Sequence, residues 1–285
     1  MIQIAPRIYI EDGFLGPTLG VLSLSMGTIM IDSPPCPEDA RSWRATLRSM
    51  NTGINRLLIN LDEHFDRTLG SRAMDSPVFA HHESAESFRD RGLVFKGVVL
   101  DCGADWERCI GLSGVRWVFP NLTFDREAYL HWDDMPLIVE HHPGPAPGAS
   151  WVIIPDEEIV FVGDLVVLNQ PPFLENADLA SWIDSLNELL SARFKDYTII
   201  SGRGGLADLD QVREQKKLIQ YINKRLKAIA KREAKPEATD SVAKKVIKDL
   251  SFPREKHDQY YERLVYGLRN YYIQQYFPEY LVPKE

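Results

Sequence analysis

The sequence predicts a mixed α/β domain over residues 1–208 followed by a helical extension over residues 209–285. Three observations predict it. Short apolar runs bounded by Gly, Pro, Asn and Asp recur along the first part, at strand length and with turn chemistry between them. Amphipathic stretches at helical spacing fall among those runs. From Leu209 onward only helical periodicity is left.

Arg7 to Ile10, Gly20 to Leu24 and Thr28 to Ile31 read as strands, the last stopped by Asp32-Ser33-Pro34-Pro35, where prolines cannot continue a ladder. Glu38 to Met50 reads as a helix with Trp43, Leu47 and Met50 on one face. Arg56 to Asn60 is a compact strand that runs into the polar stretch Leu61 to Arg67, and Thr68 to Met74 begins a helix. Val78 to Ala80 is a strand before a helix at Ser84 to Arg91. A second set of strands follows at Val115 to Phe119, Leu137 to His141, Trp151 to Ile154 and Ile159 to Val162, with the turn residues Pro155 to Glu158 joining the last two. Leu179 to Ala192 places Trp182, Ile183, Leu186, Leu189 and Leu190 at helical spacing, and Tyr197 to Ile200 is a buried strand ended by Ser201-Gly202-Arg203-Gly204-Gly205. In the extension, Val212, Ile219, Ile222, Leu226 and Ile229 mark a long apolar stripe. Glu233 to Asp240, with Pro236, is a connector, and Val242 to Leu250 and Tyr260 to Tyr276 are further helices.

Composition excludes a wholly disordered chain, since 44% of residues are hydrophobic and 26% charged. No apolar run approaches the roughly 18–20 residues that cross a bilayer, and Met1 to Arg7 lacks the regions of a signal peptide; no membrane contact is expected. Cys36, Cys102 and Cys109, odd in number and without a CxxC, read as packed thiols in a reducing cytosol, so a cytoplasmic location is expected. The net charge of −8 is uneven, because Gln211 to His257 carries fourteen Lys/Arg against six Asp/Glu and leaves −16 on the remainder. A basic tail on an acidic body predicts docking on the body itself or self-association through the C-terminal helices. A nucleic-acid contact is the weaker expectation, because the tail also carries an apolar stripe that must pack. The tyrosines at 260, 261, 266, 271, 272 and 276 read as a packed helix face or an oligomer surface.

Chemistry concentrates where the strand at Ile59 opens into Leu61-Asp62-Glu63-His64-Phe65-Asp66-Arg67. Alternating ligating residues let two side chains converge on one metal while the following pair reaches a second metal about 3.5–4 Å away. The run resembles the His-x-His-x-Asp-His signature of the metallo-β-lactamase superfamily. Four further segments share the resemblance in the family's order. Ile31-Asp32-Ser33 is similar to the early strand that closes on an aspartate. His142-Pro143-Gly144-Pro145-Ala146-Pro147-Gly148 resembles a Pro-Gly-His-Thr-Pro-Gly turn, with Pro145 in place of a metal-binding histidine. Phe161-Val162-Gly163-Asp164-Leu165 resembles the segment of the bridging aspartate, and Ser201-Gly202-Arg203-Gly204 the final Gly-His-Gly loop, with Arg203 in place of histidine. The resemblance covers roughly residues 5 to 208 and implies an αββα sandwich with metals held between loops at one edge of two sheets.

It also implies seven ligand positions, of which His64, Asp66 and Asp164 keep the expected residue. Asp62 is an acceptable oxygen ligand, whereas Arg67, Pro145 and Arg203 cannot coordinate. A hydroxide bridging two metals is therefore not expected, and the protein reads as a non-hydrolytic member with a binding or scaffolding role. Three readings of the site follow. The first is a salt-bridge cluster without any cofactor, with Arg67 and Arg203 within reach of Asp66 or Asp164, since pairing is the usual way to keep partly buried charge. The second uses Arg67 and Arg203, with His142 beside them, to bind a small anionic ligand. The third is a hydrolase of an ester, thioester, lactone or phosphodiester, with a single Zn, Fe or Mn ion on Asp62, His64 and Asp164 and with Asp66 as the catalytic base. His81-His82 reads as a structural turn, and His141 and His142, which flank the site, are candidate replacements for the ligand missing at Pro145, against the tendency of a sequence neighbour to point elsewhere on a strand.

Overall fold

The apolar runs pair into two sheets in the computed structural model, which describes residues 1–278 except 51, 90, 98 and 99. The first sheet takes seven strands in chain order: β1 (Ile2–Ala5), β2 (Ile8–Glu11), β3 (Leu19–Ser23), β4 (Gly27–Ile31), β5 (Asn55–Ile59), β6 (Val78–His81) and β7 (Leu122–Phe124). Strands β1 to β4 form an antiparallel meander, and β4 to β7 run parallel. Parallel neighbours need crossovers. These are α1 (Pro37–Arg48), then the short α2 (Phe65–Thr68) and α3 (Ser71–Met74), then α4 (His82–Ser87).

The second sheet contains β8 (Glu127–Trp132), β9 (Met135–His141), β10 (Ser150–Ile154), β11 (Ile159–Phe161), β12 (Thr198–Ile200) and β13 (Leu206–Ala207), in the order β13-β12-β11-β10-β9-β8. Helix α5 (Leu179–Leu189) makes the parallel crossover from β11 to β12. Then come α6 (Leu209–Ala230), α7 (Asp240–Asp249) and α8 (His257–Tyr276).

Burial of both faces explains why the central strands read as continuous apolar runs. Ile29, Ile31, Leu57 and Ile59 of the first sheet meet Leu137, Val139, Val152 and Phe161 of the second in the inner layer. Outside the first sheet, Val21, Met30 and Leu58 pack on Trp43 and Leu47 of α1. Outside the second, Trp151, Ile153 and Val160 pack on Trp182 and Leu186 of α5. The layers are therefore helix, sheet, sheet, helix. Helix α6 buries the stripe Val212, Ile219, Ile222 and Leu226 in that same outer core, joined by Leu264 and Leu268 of α8. Its start is fixed by a capping box in which Asp208 and Gln211 satisfy each other's backbone amides.

Three expectations are corrected. Val115 to Phe119 is not a strand: it contributes one isolated bridge, Arg116 to Val94, and Trp117 is drawn into an aromatic cluster with Phe65, Phe88 and Phe95. One edge of each sheet is made instead by a segment the apolar pattern passes over, β7 in the first and the half-exposed β8 in the second. The cysteines are not three packed thiols. Cys36 and Cys109, 73 residues apart with Cα atoms at 5.2 Å, form a disulfide, and Cys102 alone is a buried free thiol. The bond ties the start of α1 to the turn that follows Trp106. Among the described residues no helix is long and apolar enough to cross a membrane.

Candidate functional site

The site residues the motifs single out stand just past the ends of strands, where side chains from both sheets converge on one edge. After β4 the chain turns at Asp32, whose left-handed backbone (φ 59°) directs its carboxylate inward, where it accepts the Leu61 amide at 3.0 Å. After β5, Asp62 accepts the His64 amide at 2.8 Å, and the His64 ring, through Nδ1, accepts the Asp66 amide at 3.2 Å and caps α2. Asp66 is thereby pointed inward and takes the Trp106 amide at 2.7 Å. Asp164 follows β11 and Arg203 follows β12. Their loops touch closely, since a Cβ on Gly202 would lie 2.3 Å from the Gly163 carbonyl carbon.

Two arginines fill the centre of this edge. Arg67 has no exposed surface. Its Nε lies 2.9 Å from Asp62 Oδ2, its Nη1 meets Asp32 and its Nη2 meets Asp164. Arg203, also buried, donates through Nη1 to Asp66 at 2.8 Å and to Asp105 at 3.2 Å, and through Nε and Nη2 to Asp164 at 3.2 Å. Asp164 is thus held from two sides. A third arginine, Arg263 of α8, stands 3.8 Å from Asp105 and donates to the Gly103 carbonyl at 3.0 Å. The guanidinium carbons of Arg203 and Arg263 lie 4.6 and 4.1 Å from the Phe173 ring centre, a cation–π arrangement.

Electrostatics follow from this geometry. Burial alone would raise the Asp164 carboxyl, but Arg203 and Arg67 outweigh it and hold it well below the usual carboxylate range. Burial works against the charge of Arg67 and Arg203 too, yet their aspartates raise both above the ordinary arginine value. Burial and the charge of Arg203 push His64 down to about 3, so the ring is neutral. Because Nδ1 accepts an amide hydrogen, its proton sits on Nε2.

Asp62, His64, Asp66, Arg67, Asp164 and Arg203 therefore come together as the motif order implies, and Pro145 lines the adjoining cavity with Asp62, His64 and Asp164. His142 does not join them. Its ring stacks on Trp151 at 3.6 Å and its Nε2 faces Glu140 at 3.1 Å, because the strand end turns it toward the outer core. His141 stacks on His81 instead. Asp105, Arg263 and Phe173 carry no sequence signal for this site, while Asp32 was visible only as the aspartate that ends a strand.

These side chains are already engaged with one another. Asp32, Asp62, Asp66, Asp105 and Asp164 each face a guanidinium, and the one histidine has its Nδ1 turned to a backbone amide. Among the described residues no group of three or more His, Cys, Asp or Glu is arranged to hold an ion.

The sequence model of the metallo-beta-lactamase superfamily matches residues 63–204. The stereoselective inverting sec-alkylsulfatase Pisa1 from Pseudomonas sp. is similar in structure, with a TM-score of 0.68 and 15% identity over 100% of this chain and 52% of its own. A metallo-beta-lactamase from Pontibacter korlensis gives 0.61 and 17% over 77% of this chain and 97% of its own, and one from Hirschia baltica 0.56 and 12% over 76% and 96%. This chain spans about half the length of the alkylsulfatase, and at such identities the likeness speaks for the fold alone. No curated protein matches. By its fold and the order of its strand-end loops, the chain belongs to the metallo-beta-lactamase superfamily.

Proposed function

We propose that this protein is a non-hydrolytic member of its superfamily, a binding protein with an eroded dinuclear centre in which Arg67 and Arg203 balance the carboxylates without any metal. The observation that carries this reading is Asp164, which meets Arg67 on one side and Arg203 on the other. A divalent ion at Asp62, His64 and Asp164 would have to displace Arg67 from two aspartates, leaving its charge buried and unpaired. No step that activates water is assigned to these residues. An anionic ligand loses its support, because both guanidiniums turn their edges to carboxylates. What supports a binding role is the cavity beside the cluster.

The test is elemental analysis of purified protein for zinc, iron and manganese, with melting followed before and after chelation. Substoichiometric metal and an unchanged melting temperature are expected. Stoichiometric metal whose removal lowers the melting temperature would replace this reading with a single-metal hydrolase on Asp62, His64 and Asp164. The Cys36–Cys109 bond supports a setting more oxidising than the cytoplasm the cysteine count suggested.

A further inference from the structure

We propose that the cavity beside the arginine–aspartate cluster binds a small organic ammonium ion, an assignment that rests on the metal-free reading because a metal on Asp62, His64 and Asp164 would claim the same wall. The cavity measures about 190 Å³, below the ~300–1,000 Å³ of sites for drug-sized molecules, and so suits an amine of a few carbons. Its carboxylates are of two kinds. Asp62 and Asp164 are matched by arginines behind them. Glu63 and Glu175 meet no arginine directly, and Arg91 and Arg263 act on them only at longer range.

Glu63 is only 5% exposed, and its carboxylate accepts hydrogen bonds from Ser84 Oγ at 3.0 Å and from its own backbone amide, neither of them charged. Glu175 Oε1 lies 3.7 Å from His64 Nε2, too far for a hydrogen bond, and that ring is neutral. Among the described residues neither glutamate has a lysine or arginine within ion-pair distance, and the nearest charged-type partner is the neutral His64 ring beside Glu175. The cation in the wall, Arg91, attracts Glu63 without reaching its carboxylate. Its guanidinium carbon lies 4.4 to 5.0 Å from the rings of Phe65, Phe88 and Trp117, and Nη2 donates to the Glu63 carbonyl rather than to its carboxylate.

Desolvated carboxylates without a counter-charge are costly. An ammonium group supplies the missing charge. The rest of the wall suits its carbon atoms, since Phe65, Trp106, Phe173 and Tyr266 line the cavity and aromatic faces attract desolvated cations. An anion would meet four carboxylates instead.

The experiment is calorimetric titration of the full chain, dialysed against chelator, with choline and with ethylammonium, and with inorganic phosphate as the opposite charge. Metal content is measured on the same preparation before dialysis. At least one ammonium probe should bind saturably and phosphate should not. Glu175→Gln, checked for native melting, should weaken that binding at least about tenfold, and Glu175→Asp should restore part of it. Absence of saturable binding by both ammonium probes overturns the proposal, as does binding that Glu175→Gln leaves unchanged. Substoichiometric metal with no ammonium binding sinks the ligand assignment alone, whereas stoichiometric metal before dialysis removes the reading beneath it.

Discussion

The buried edge of the sandwich and the outer face of α6 are built from the same ion pairs, yet those pairs do different things. On α6, Arg213 meets Asp210 at 2.6 Å and Lys217 meets Glu214 at 2.7 Å, each a helical turn apart and each largely in solvent. Such pairs lose side-chain entropy and are screened by salt. At the sandwich edge, Arg203 reaches Asp66 across 137 residues and Arg67 reaches Asp164 across 97, all out of water. There each arginine is the counter-charge of several aspartates on different loops. Distance alone does not separate the two regions. Solvent and connectivity do.

The largest effect should come from breaking the buried side. Arg203→Ala leaves Asp66, Asp105 and Asp164 short of their partner, and Arg67→Ala does the same to Asp32, Asp62 and Asp164. Each should cost about 3–5 kcal/mol in urea unfolding. Two results near zero would mean that the edge behaves like the surface of α6.

An intermediate effect should come from Glu63, a buried carboxylate with no arginine in direct contact. In the folded protein Glu63 releases its proton near pH 7, against an ordinary value of 4.5. The unfolded chain lets go of that proton first, so wild-type stability falls as pH rises from about 4.5 through 7. Glu63→Gln keeps an acceptor for Ser84 and removes the titration. It should match wild type at pH 4 and exceed it by up to roughly 3 kcal/mol at pH 8. A constant difference across that range would show Glu63 to be paired or solvated after all.

The smallest effect should be on α6. Lys217→Ala should change stability by no more than about 0.5 kcal/mol, and that change should fade in high salt. A loss comparable with that of Arg203→Ala would erase the contrast between the regions.

Much of the site was legible because its parts are local. The run from Asp62 to Arg67 keeps its spacing within one loop, and Asp164 and Arg203 each stand beside glycines that mark a strand end. Asp32 was half legible, visible as a strand end and silent as a partner of Arg67. Asp105, Arg263, Phe173 and Glu175 come from an irregular segment, a C-terminal helix and a loop with no pattern of their own, and reach the site only through packing. His142 was misplaced because adjacency in sequence does not set the direction of a side chain at a strand end. The strand expected at Val115 to Phe119 failed for a related reason. Its apolar residues suit a sheet, but Trp117 has closer company in the rings of Phe65 and Phe95.

By itself the sequence determined the alternation of strands and helices, the apolar faces of the helices and the arginines at two positions where the resemblance implies histidine, because each of these is written in residues close together along the chain. Only the tertiary structure decided which aspartates those arginines meet, that Cys36 finds Cys109, and that no arginine comes within ion-pair distance of Glu63 or Glu175. Those outcomes depend on which loops touch. That contact is set by the approach of whole elements, such as Gly202 against Gly163, and chain entropy favours no particular long-range pairing until the two sheets have packed.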